Sequence, residues 1–212
     1  MNKKPHLAYT SIVPEIKDNS SITKVIILLH GYGSNMKDLA SLSEYIDASE
    51  YMYISINAPI KLAEFGNNAF AWFQIDTPNY LDQLQENTRL LENTIDHLTN
   101  TFDISNVPIV LGGFSQGGMM AMNLSLTTDK KFNGIAALSS RLITAVPTKK
   151  PEVNFFISHG SKDTVIDVSE GHKSRDILQK SGHRVTYQEY DIGHEISADC
   201  LTDFTTWLKS IN

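Results

Sequence analysis

The sequence has only one cysteine, Cys200, so no disulfide can form within the chain. Cysteine usage therefore gives no indication of an oxidising compartment. The longest apolar run, Val25 to Leu29, is far shorter than the ~20 residues that a membrane-spanning helix needs. The segment Met1 to Tyr9 has lysines but no apolar stretch behind them, so we do not expect a signal peptide. Together these absences predict a soluble cytoplasmic protein.

Positive charge is also scarce. The chain carries 18 Lys and Arg against 24 Asp and Glu, a net charge of −6, with a pI near 5.6. This excess of negative charge argues against nucleic acid as a partner. With 212 residues, of which 41% are hydrophobic and 20% charged, the composition is typical of a globular chain. We expect one domain over residues 1–212.

Apolar segments of strand length alternate with amphipathic segments of helical spacing. Strands are predicted at Val25 to Leu29, Met52 to Ile56, Ile109 to Leu111, Ile135 to Leu138, Val153 to Ile157 and Val185 to Tyr190, with Leu7 to Val13 as an edge strand. Helices are predicted at Tyr80 to Thr99, Met119 to Leu126, Val168 to Lys180 and Glu195 to Leu208. The alternation predicts an α/β fold in which helices cover both faces of a mostly parallel sheet.

The most informative motif is Gly-Phe-Ser-Gln-Gly at residues 113–117, between a predicted strand and a predicted helix. A nucleophile elbow requires this context, a sharp turn that forces Ser115 into a strained backbone conformation with its hydroxyl exposed. We expect side chains at positions 113 and 117 to collide with the neighbouring strand and helix, which explains both glycines. Ser115 is therefore the candidate nucleophile.

The acid and the base must lie at the same sheet edge as Ser115, where the carboxyl ends of parallel strands open. The strand Val153 to Ile157 leads into a loop that contains Asp163, with Asp167 as the alternative. The strand Val185 to Tyr190 leads directly to His194. These residues predict a proton-relay triad, and the chain order Ser, Asp, His is that of α/β-hydrolases.

The remaining histidines are less suitable as a general base. His6 is near a terminus, and His97 and His172 fall on predicted helices. His183 precedes the last strand and lies at the opposite sheet edge, and His159 ends a strand in the rim of the sheet. We expect His159 to be structural. No cofactor and no metal are predicted, because His194-Glu195 lacks a second histidine one turn on and Cys200 alone is no ligand set.

Attack on a carbonyl creates an oxyanion that needs hydrogen-bond donors. The backbone N–H of Gln116, at the start of a helix, is one candidate. The loop 30–34, His-Gly-Tyr-Gly-Ser, follows the strand Val25 to Leu29, and its Tyr32 N–H is the other. A dinucleotide fingerprint is the competing interpretation of these glycines, but Met36 stands where the third glycine is required.

Several of these motifs together resemble the phospholipase/carboxylesterase family, which includes acyl-protein thioesterases and small bacterial serine esterases. The motifs are His-Gly-Tyr-Gly at 30–33, Ala-Trp-Phe at 71–73, Gly-Phe-Ser-Gln-Gly-Gly at 113–118, His-Gly-Ser-Lys-Asp at 159–163 and Gly-His-Glu at 193–195. The resemblance implies an α/β-hydrolase fold and cofactor-free hydrolysis of carboxylic esters or thioesters. It implies the family's roles for Ser115, Asp163, His194 and the amides of Tyr32 and Gln116. Family members are often homodimers.

Two aromatic residues, Trp72 and Phe73, are expected to form a wall of an acyl-binding groove, as the resemblance suggests. Core filling is the alternative, and for Phe73 the two interpretations are equally supported. The segment 57–71 has no clear periodicity, and its Phe65 and Phe70 are expected to act as a lid or to contact a membrane surface.

Two departures from the family pattern affect specificity. Gln74 stands where an aspartate is frequent, and Ser-Ser-Arg at 139–141 replaces a common Ser-Gly pair. Arg141 is interpreted either as a contact for an anionic part of a substrate or as a solvated surface side chain.

The sequence is compatible with three functions. The first is a serine esterase or thioesterase for acyl groups, whose substrate is a small ester, a lipid or an acylated protein. The second is a lysophospholipase, and the third a catalytically inactive hydrolase fold that serves as a ligand receptor. The complete triad in its expected order favours the enzyme.

Overall fold

A seven-stranded sheet forms the centre of the protein. The computed structural model describes residues 6–14, 22–46, 50–75, 77–147 and 151–211. The strands are β1 (Tyr9–Ile12), β2 (Lys24–Leu29), β3 (Tyr51–Ile56), β6 (Ile109–Phe114), β7 (Gly134–Leu138), β8 (Asn154–Gly160) and β9 (Arg184–Tyr190), and a separate pair consists of β4 (Ile60–Lys61) and β5 (Phe70–Ala71). Only β1 pairs in the antiparallel sense within the large sheet, which confirms the predicted edge strand and the mostly parallel arrangement.

Helices cover both faces of this sheet. They are α1 (Met36–Ala40), α2 (Tyr80–Thr101), α3 (Gln116–Thr127), α4 (Val168–Lys180) and α5 (Ala198–Ser210), with short 3₁₀ helices at Ser41–Glu44 and Ala63–Phe65. The pleat of β2 shows the division: Val25, Ile27 and Leu29 pack in the cluster of α2, α3 and α4, whereas Ile26 and Leu28 pack in the cluster of α1 and α5. Burial on both faces explains the continuous apolar sequence of this strand.

The strand order is β1-β3-β2-β6-β7-β8-β9, so the chain leaves β2 towards one edge and later returns to its other side at β6. The switch point of the topology therefore lies between the carboxyl ends of β2 and β6. In open α/β sheets ligands bind in the crevice outside such a point. The loop 30–34 and Ser115 both follow these two strand ends.

Most predicted elements agree with the structure, with differences at some boundaries and in two segments. The last helix begins at Ala198 rather than Glu195, because the Ser197 side chain accepts the Cys200 N–H and caps it. The segment 57–71, predicted to be irregular, contains β4, β5 and a 3₁₀ turn. The short helix α1, which Asn35 caps by accepting the Lys37 N–H, was not predicted.

Among the described residues, every helix is too short or too polar to span a bilayer. The long helix α2 illustrates this, since it is amphipathic and its polar face is exposed.

Candidate active site

The elbow at the end of β6 has the strain that its sequence predicts. Ser115 has φ 54° and ψ −118°, an unfavourable conformation for a residue with a side chain. A Cβ on Gly113 would lie 2.3 Å from the carbonyl carbon of Gly117, and a Cβ on Gly117 would lie 1.9 Å from the Leu29 oxygen. The predicted collisions are confirmed: α3 and β2 approach the elbow too closely for any side chain at either position.

His194 and Asp163 meet at the same sheet edge. The His194 Nδ1–H donates to Asp163 Oδ2 over 2.7 Å. The imidazole also packs against the ring of Phe114, the residue before Ser115, with 4.9 Å between ring centroids. The loops after β8 and β9 approach closely because position 160 is glycine, where a Cβ would lie 2.2 Å from the Gly193 oxygen.

Asp163 is almost completely buried and held on both oxygens. Its Oδ1 accepts the backbone N–H groups of Val165 and Ile166 at 2.8 and 2.9 Å, while Oδ2 faces His194. Burial alone would raise the pKa of Asp163, but the hydrogen bonds from His194, Ile166 and Val165 outweigh it and hold the pKa below its ordinary value. The carboxylate is therefore ionised and aimed at the imidazole.

His159 supports the acid from inside the sheet. Its Nε2 lies 2.7 Å from the Ile166 carbonyl oxygen and 3.4 Å from Asp163 Oδ2. Since both neighbours are acceptors, Nε2 carries the proton and donates. The side chain is 1% exposed, in agreement with the expected structural role. It fixes the loop that positions Asp163.

Asp167, the alternative acid, has a different role. Its side chain accepts the Ser169 N–H over 2.9 Å and caps α4. The hydrogen bond from the Ser169 side chain, followed by that from its backbone, lowers the pKa of Asp167. Of the two candidates, Asp163 is the one that hydrogen-bonds to His194.

The loop 30–34 packs directly on the elbow. A Cβ on Gly31 would lie 3.1 Å from Phe114 Cδ1 and 3.5 Å from Ser115 Cβ, so glycine permits the close approach. His30 supports this loop from below: its Nε2 accepts the Ala58 N–H, and its Nδ1–H donates to the Gly31 oxygen over 2.7 Å. Burial lowers the pKa of His30, which keeps the ring neutral.

Two amides that were expected to hold an oxyanion are free to donate. Within the described part of the chain, the backbone N–H of neither Tyr32 nor Gln116 has a hydrogen-bond partner. Gln116 is the first residue of α3, where N–H groups have no intrahelical acceptor. Both residues line one cavity of about 610 Å³ together with Ser115.

The side chain of Gln116 has a role that sequence reasoning missed. Its Oε1 accepts the Trp72 N–H over 2.8 Å and its Nε2 donates to the Phe73 oxygen over 2.6 Å. Asn87 Nδ2 donates to the Trp72 oxygen over 2.6 Å, and the Trp72 indole N–H donates to the His30 oxygen. This network ties the segment after β5 to the elbow.

The groove-wall role expected of Trp72 and Phe73 is wrong in this structure. Their side chains are 0% and 1% exposed, both belong to the core cluster, and neither lines the cavity beside Ser115. The core-filling alternative is therefore the correct one. The two residues support the site through their backbone hydrogen bonds instead.

The cavity walls come from other residues. Apolar lining is contributed by Tyr32, Ile75, Met119, Val165 and Ile166. Exposed Phe65 packs edge-on against the ring of Tyr32, a lining residue, with 5.9 Å between centroids. Phe70 is half-buried in β5. The exposed apolar side chains at the rim make this cavity suitable for an apolar substrate portion.

A second cavity, of about 670 Å³, lies between α2 and α3 and has a more polar lining. It contains neither Ser115 nor either of its candidate partners. Across the described ranges, no group of three or more His, Cys, Asp or Glu side chains is arranged to hold a metal ion. The cavity at the elbow is therefore the candidate substrate site, because it is the one that Ser115 lines.

Comparisons with known proteins identify the family and the fold. A family model described as phospholipase/carboxylesterase matches residues 11–212. An acyl-protein thioesterase 1 of Neurospora crassa is 32% identical over 87% of this chain and 86% of its own length. An acyl-protein thioesterase 1 of Candida albicans is 29% identical over 92% and 94%. The crystal structure of esterase PE8 superposes with a TM-score of 0.84 at 22% identity, covering 98% of this chain and all of the other.

Proposed function

The chain belongs to the phospholipase/carboxylesterase family and is an α/β-hydrolase of ester and thioester bonds, and we propose that Ser115, His194 and Asp163 are its catalytic triad. The observation that carries this proposal is the convergence at one sheet edge. The strained Ser115 lines the cavity, and His194, which hydrogen-bonds to Asp163 over 2.7 Å, packs its imidazole against Phe114, the residue before Ser115.

The hydrogen bond to Asp163 determines which tautomer of His194 is present. Because Nδ1–H donates to the carboxylate, Nε2 keeps its lone pair and can accept the proton of Ser115. Ser115 Oγ then attacks the substrate carbonyl, and the imidazolium is stabilised by Asp163. His194 returns the proton to the leaving alcohol or thiol, which leaves an acyl-enzyme. A water molecule, deprotonated by the same nitrogen, releases the acid and restores Ser115.

The amides of Tyr32 and Gln116 are proposed as the oxyanion hole. Both lack an acceptor within the described residues, and both belong to residues that line the same cavity as Ser115. Their donors are fixed before the reaction, since the 30–34 loop is packed on Phe114 and α3 begins at Gln116. Removing one such donor typically costs about 3 kcal/mol of barrier.

The apolar side chains at the rim favour an acyl chain as the part of the substrate that enters the cavity. Two relatives are acyl-protein thioesterases, and we propose acylated proteins and lipid esters alongside small esters as substrates. Exposed Phe65 beside Tyr32 supports transient contact with a membrane surface. A single domain, a cytoplasmic location and a homodimer are further parts of this proposal. Size-exclusion chromatography with light scattering tests the dimer.

Turnover of matched esters tests the proposed function. Wild type and Ser115→Ala are assayed with p-nitrophenyl butyrate and with the corresponding thioester, and Ser181→Ala, at an exposed helix end, is the matched control. We expect Ser115→Ala to lose at least about 10⁴-fold in kcat, because no other group replaces the nucleophile. Folding is checked by circular dichroism.

The outcomes separate the competing functions. Unchanged turnover in Ser115→Ala contradicts the triad. Binding of an acyl ligand by wild type, with no turnover of any ester or thioester, supports a receptor instead. A strong preference for lysophospholipid over both test substrates supports the lysophospholipase.

A further inference from the structure

Arg141 brings a positive charge into the wall of the cavity at the elbow. It follows β7 and lines the same cavity as Ser115 and Gln116. Because β7 is parallel to β6, its carboxyl end opens at the same sheet edge as the elbow. A charged group that is partly removed from water is costly unless it is paired or hydrogen-bonded.

The backbone around Arg141 is anchored on both sides. The hydroxyl of Ser140 donates to the Ser115 carbonyl oxygen over 2.8 Å, and the N–H of Leu142 donates to the buried Ser174 Oγ over 2.8 Å. The backbone at Arg141 is thus held relative to the elbow. A cation in the wall of the cavity that contains the nucleophile is well placed to orient a substrate.

One donor of the Arg141 guanidinium is left without a partner among the described residues. Its Nε is shielded from solvent and makes no hydrogen bond there, and Arg141 forms no salt bridge within the same ranges. A buried donor left without an acceptor is unfavourable. The unsatisfied donor points to an acceptor that is supplied from outside the chain.

Two carboxylates share the cavity but are already engaged. Asp167 caps α4 through Ser169, and Glu170 pairs with Lys173 over 2.5 Å. Neither reaches Arg141 in a salt bridge. Their charge repels an anion from the α4 wall, and this leaves the Arg141 side as the place where an anionic group can sit.

We propose that Arg141 forms an anion subsite which selects ester substrates bearing a carboxylate. This inference rests on the proposed function, since it assigns a substrate class to the same cavity. Arginine suits the task because its planar guanidinium binds a carboxylate through two parallel hydrogen bonds. The Nε that lacks a partner in the free protein is one of the donors available for this contact.

The test compares esters that differ only in charge. The p-nitrophenyl monoester of adipic acid is compared with p-nitrophenyl hexanoate, which places the carboxylate on the acyl side. Then 4-acetoxybenzoate is compared with its methyl ester, which places the carboxylate on the leaving group. The readout is the ratio of kcat/KM for the charged ester to that for the neutral one. Adipate itself is used as an inhibitor of hexanoate hydrolysis.

We expect Arg141→Met to lower this ratio by about 10- to 30-fold for one of the two pairs, and Arg141→Lys to restore part of it. Adipate inhibition should weaken in parallel. The matched control is Arg175→Met, an arginine on α4 paired with Asp176, which should leave the ratio unchanged. High salt should reduce the ratio in wild type.

If the ratio for Arg141→Met stays within about twofold of the wild-type ratio for both ester pairs, the subsite is overturned. Hydrolysis of the neutral esters would still support the proposed function. If wild type hydrolyses none of the esters, the proposed function fails instead. Adipate binding, measured by calorimetry on wild type and Arg141→Met, then decides the subsite alone: equal affinity overturns it, and loss in the variant supports it.

Discussion

Replacing Asp163 by asparagine tests the proton relay with almost no change in shape. In the wild type, Oδ1 accepts two backbone N–H groups, from Val165 and Ile166, and Oδ2 accepts the His194 Nδ1–H. Asparagine has one carbonyl oxygen, and the two N–H donors require it on their side. Its NH₂ group then faces His194 Nδ1, which must become the acceptor.

This exchange places the proton of His194 on Nε2, where it blocks removal of the Ser115 proton. The NH₂ group also faces the Nε2–H of His159, which lies 3.4 Å from Oδ2 in the wild type. We expect kcat to fall by about 10³- to 10⁴-fold, equivalent to about 4.1 to 5.4 kcal/mol of barrier. KM for p-nitrophenyl butyrate should change little, because the carboxylate does not touch the substrate.

Asp191→Asn is the matched control. Asp191 lies in the loop that carries His194, is exposed, and pairs with Lys162 over 2.8 Å. We expect its kcat within about twofold of wild type. A kcat for Asp163→Asn above a tenth of wild type, in a protein with a wild-type circular dichroism spectrum, would refute the reasoning.

The same variant has a predicted pH dependence of stability. The pKa of Asp163 is lower in the folded chain than in the unfolded chain. Its carboxylate therefore contributes stability that is fully present above the unfolded pKa and is lost as pH falls through the folded pKa. Urea unfolding should show wild type more stable than Asp163→Asn at pH 7, with the difference shrinking below about pH 4. A difference that grows on acidification contradicts this assignment.

Three further predictions concern packing and positioning. Gly117→Ala should lower the free energy of unfolding by at least about 3 kcal/mol, because its Cβ would meet the Leu29 oxygen at 1.9 Å, whereas Gly193→Ala, with open space around its Cβ, should cost under about 1 kcal/mol in urea titrations. Burial raises the pKa of Cys200 to about 11, so at pH 8 its reaction with Ellman's reagent should be at least about 100-fold slower than after unfolding; equal rates contradict the buried thiol. His159→Leu should lower kcat about tenfold at unchanged KM, because leucine has no donor for the Ile166 carbonyl and Asp163; unchanged kcat contradicts a positioning role.

The topology of a parallel sheet directed the choice of Asp163 and His194 as the proposed partners of Ser115. Once a nucleophile was assigned to the end of β6, only loops that follow later strands could supply its partners. This rule selected His194 over the other histidines and placed Asp163 within reach, and the structure joins the two at 2.7 Å. The glycines at 113 and 117 were predictable because a sharp strand-to-helix turn leaves no room for side chains.

Features set by long-range contacts were not predictable in this way. The aromatic character of Phe73 suits a groove wall and a core equally, and its backbone is held by Gln116, 43 residues away, which donates to the Phe73 oxygen. The partnerless Nε of Arg141 likewise depends on what surrounds it in space. The start of α5 was within reach of the sequence, since Ser197 is a favourable N-cap residue that the pattern of apolar residues alone overlooked.

Covalent labelling of Ser115 is the most direct test of the triad. Wild type and Ser115→Ala are treated with a fluorophosphonate, which reacts only with an activated serine, and are examined by intact mass and peptide mapping. The triad predicts one adduct per wild-type chain, located at Ser115 in the peptide that contains the elbow, and none on the variant. Stoichiometric labelling of Ser115→Ala, or an adduct on Ser139 or Ser140 in wild type, would contradict it.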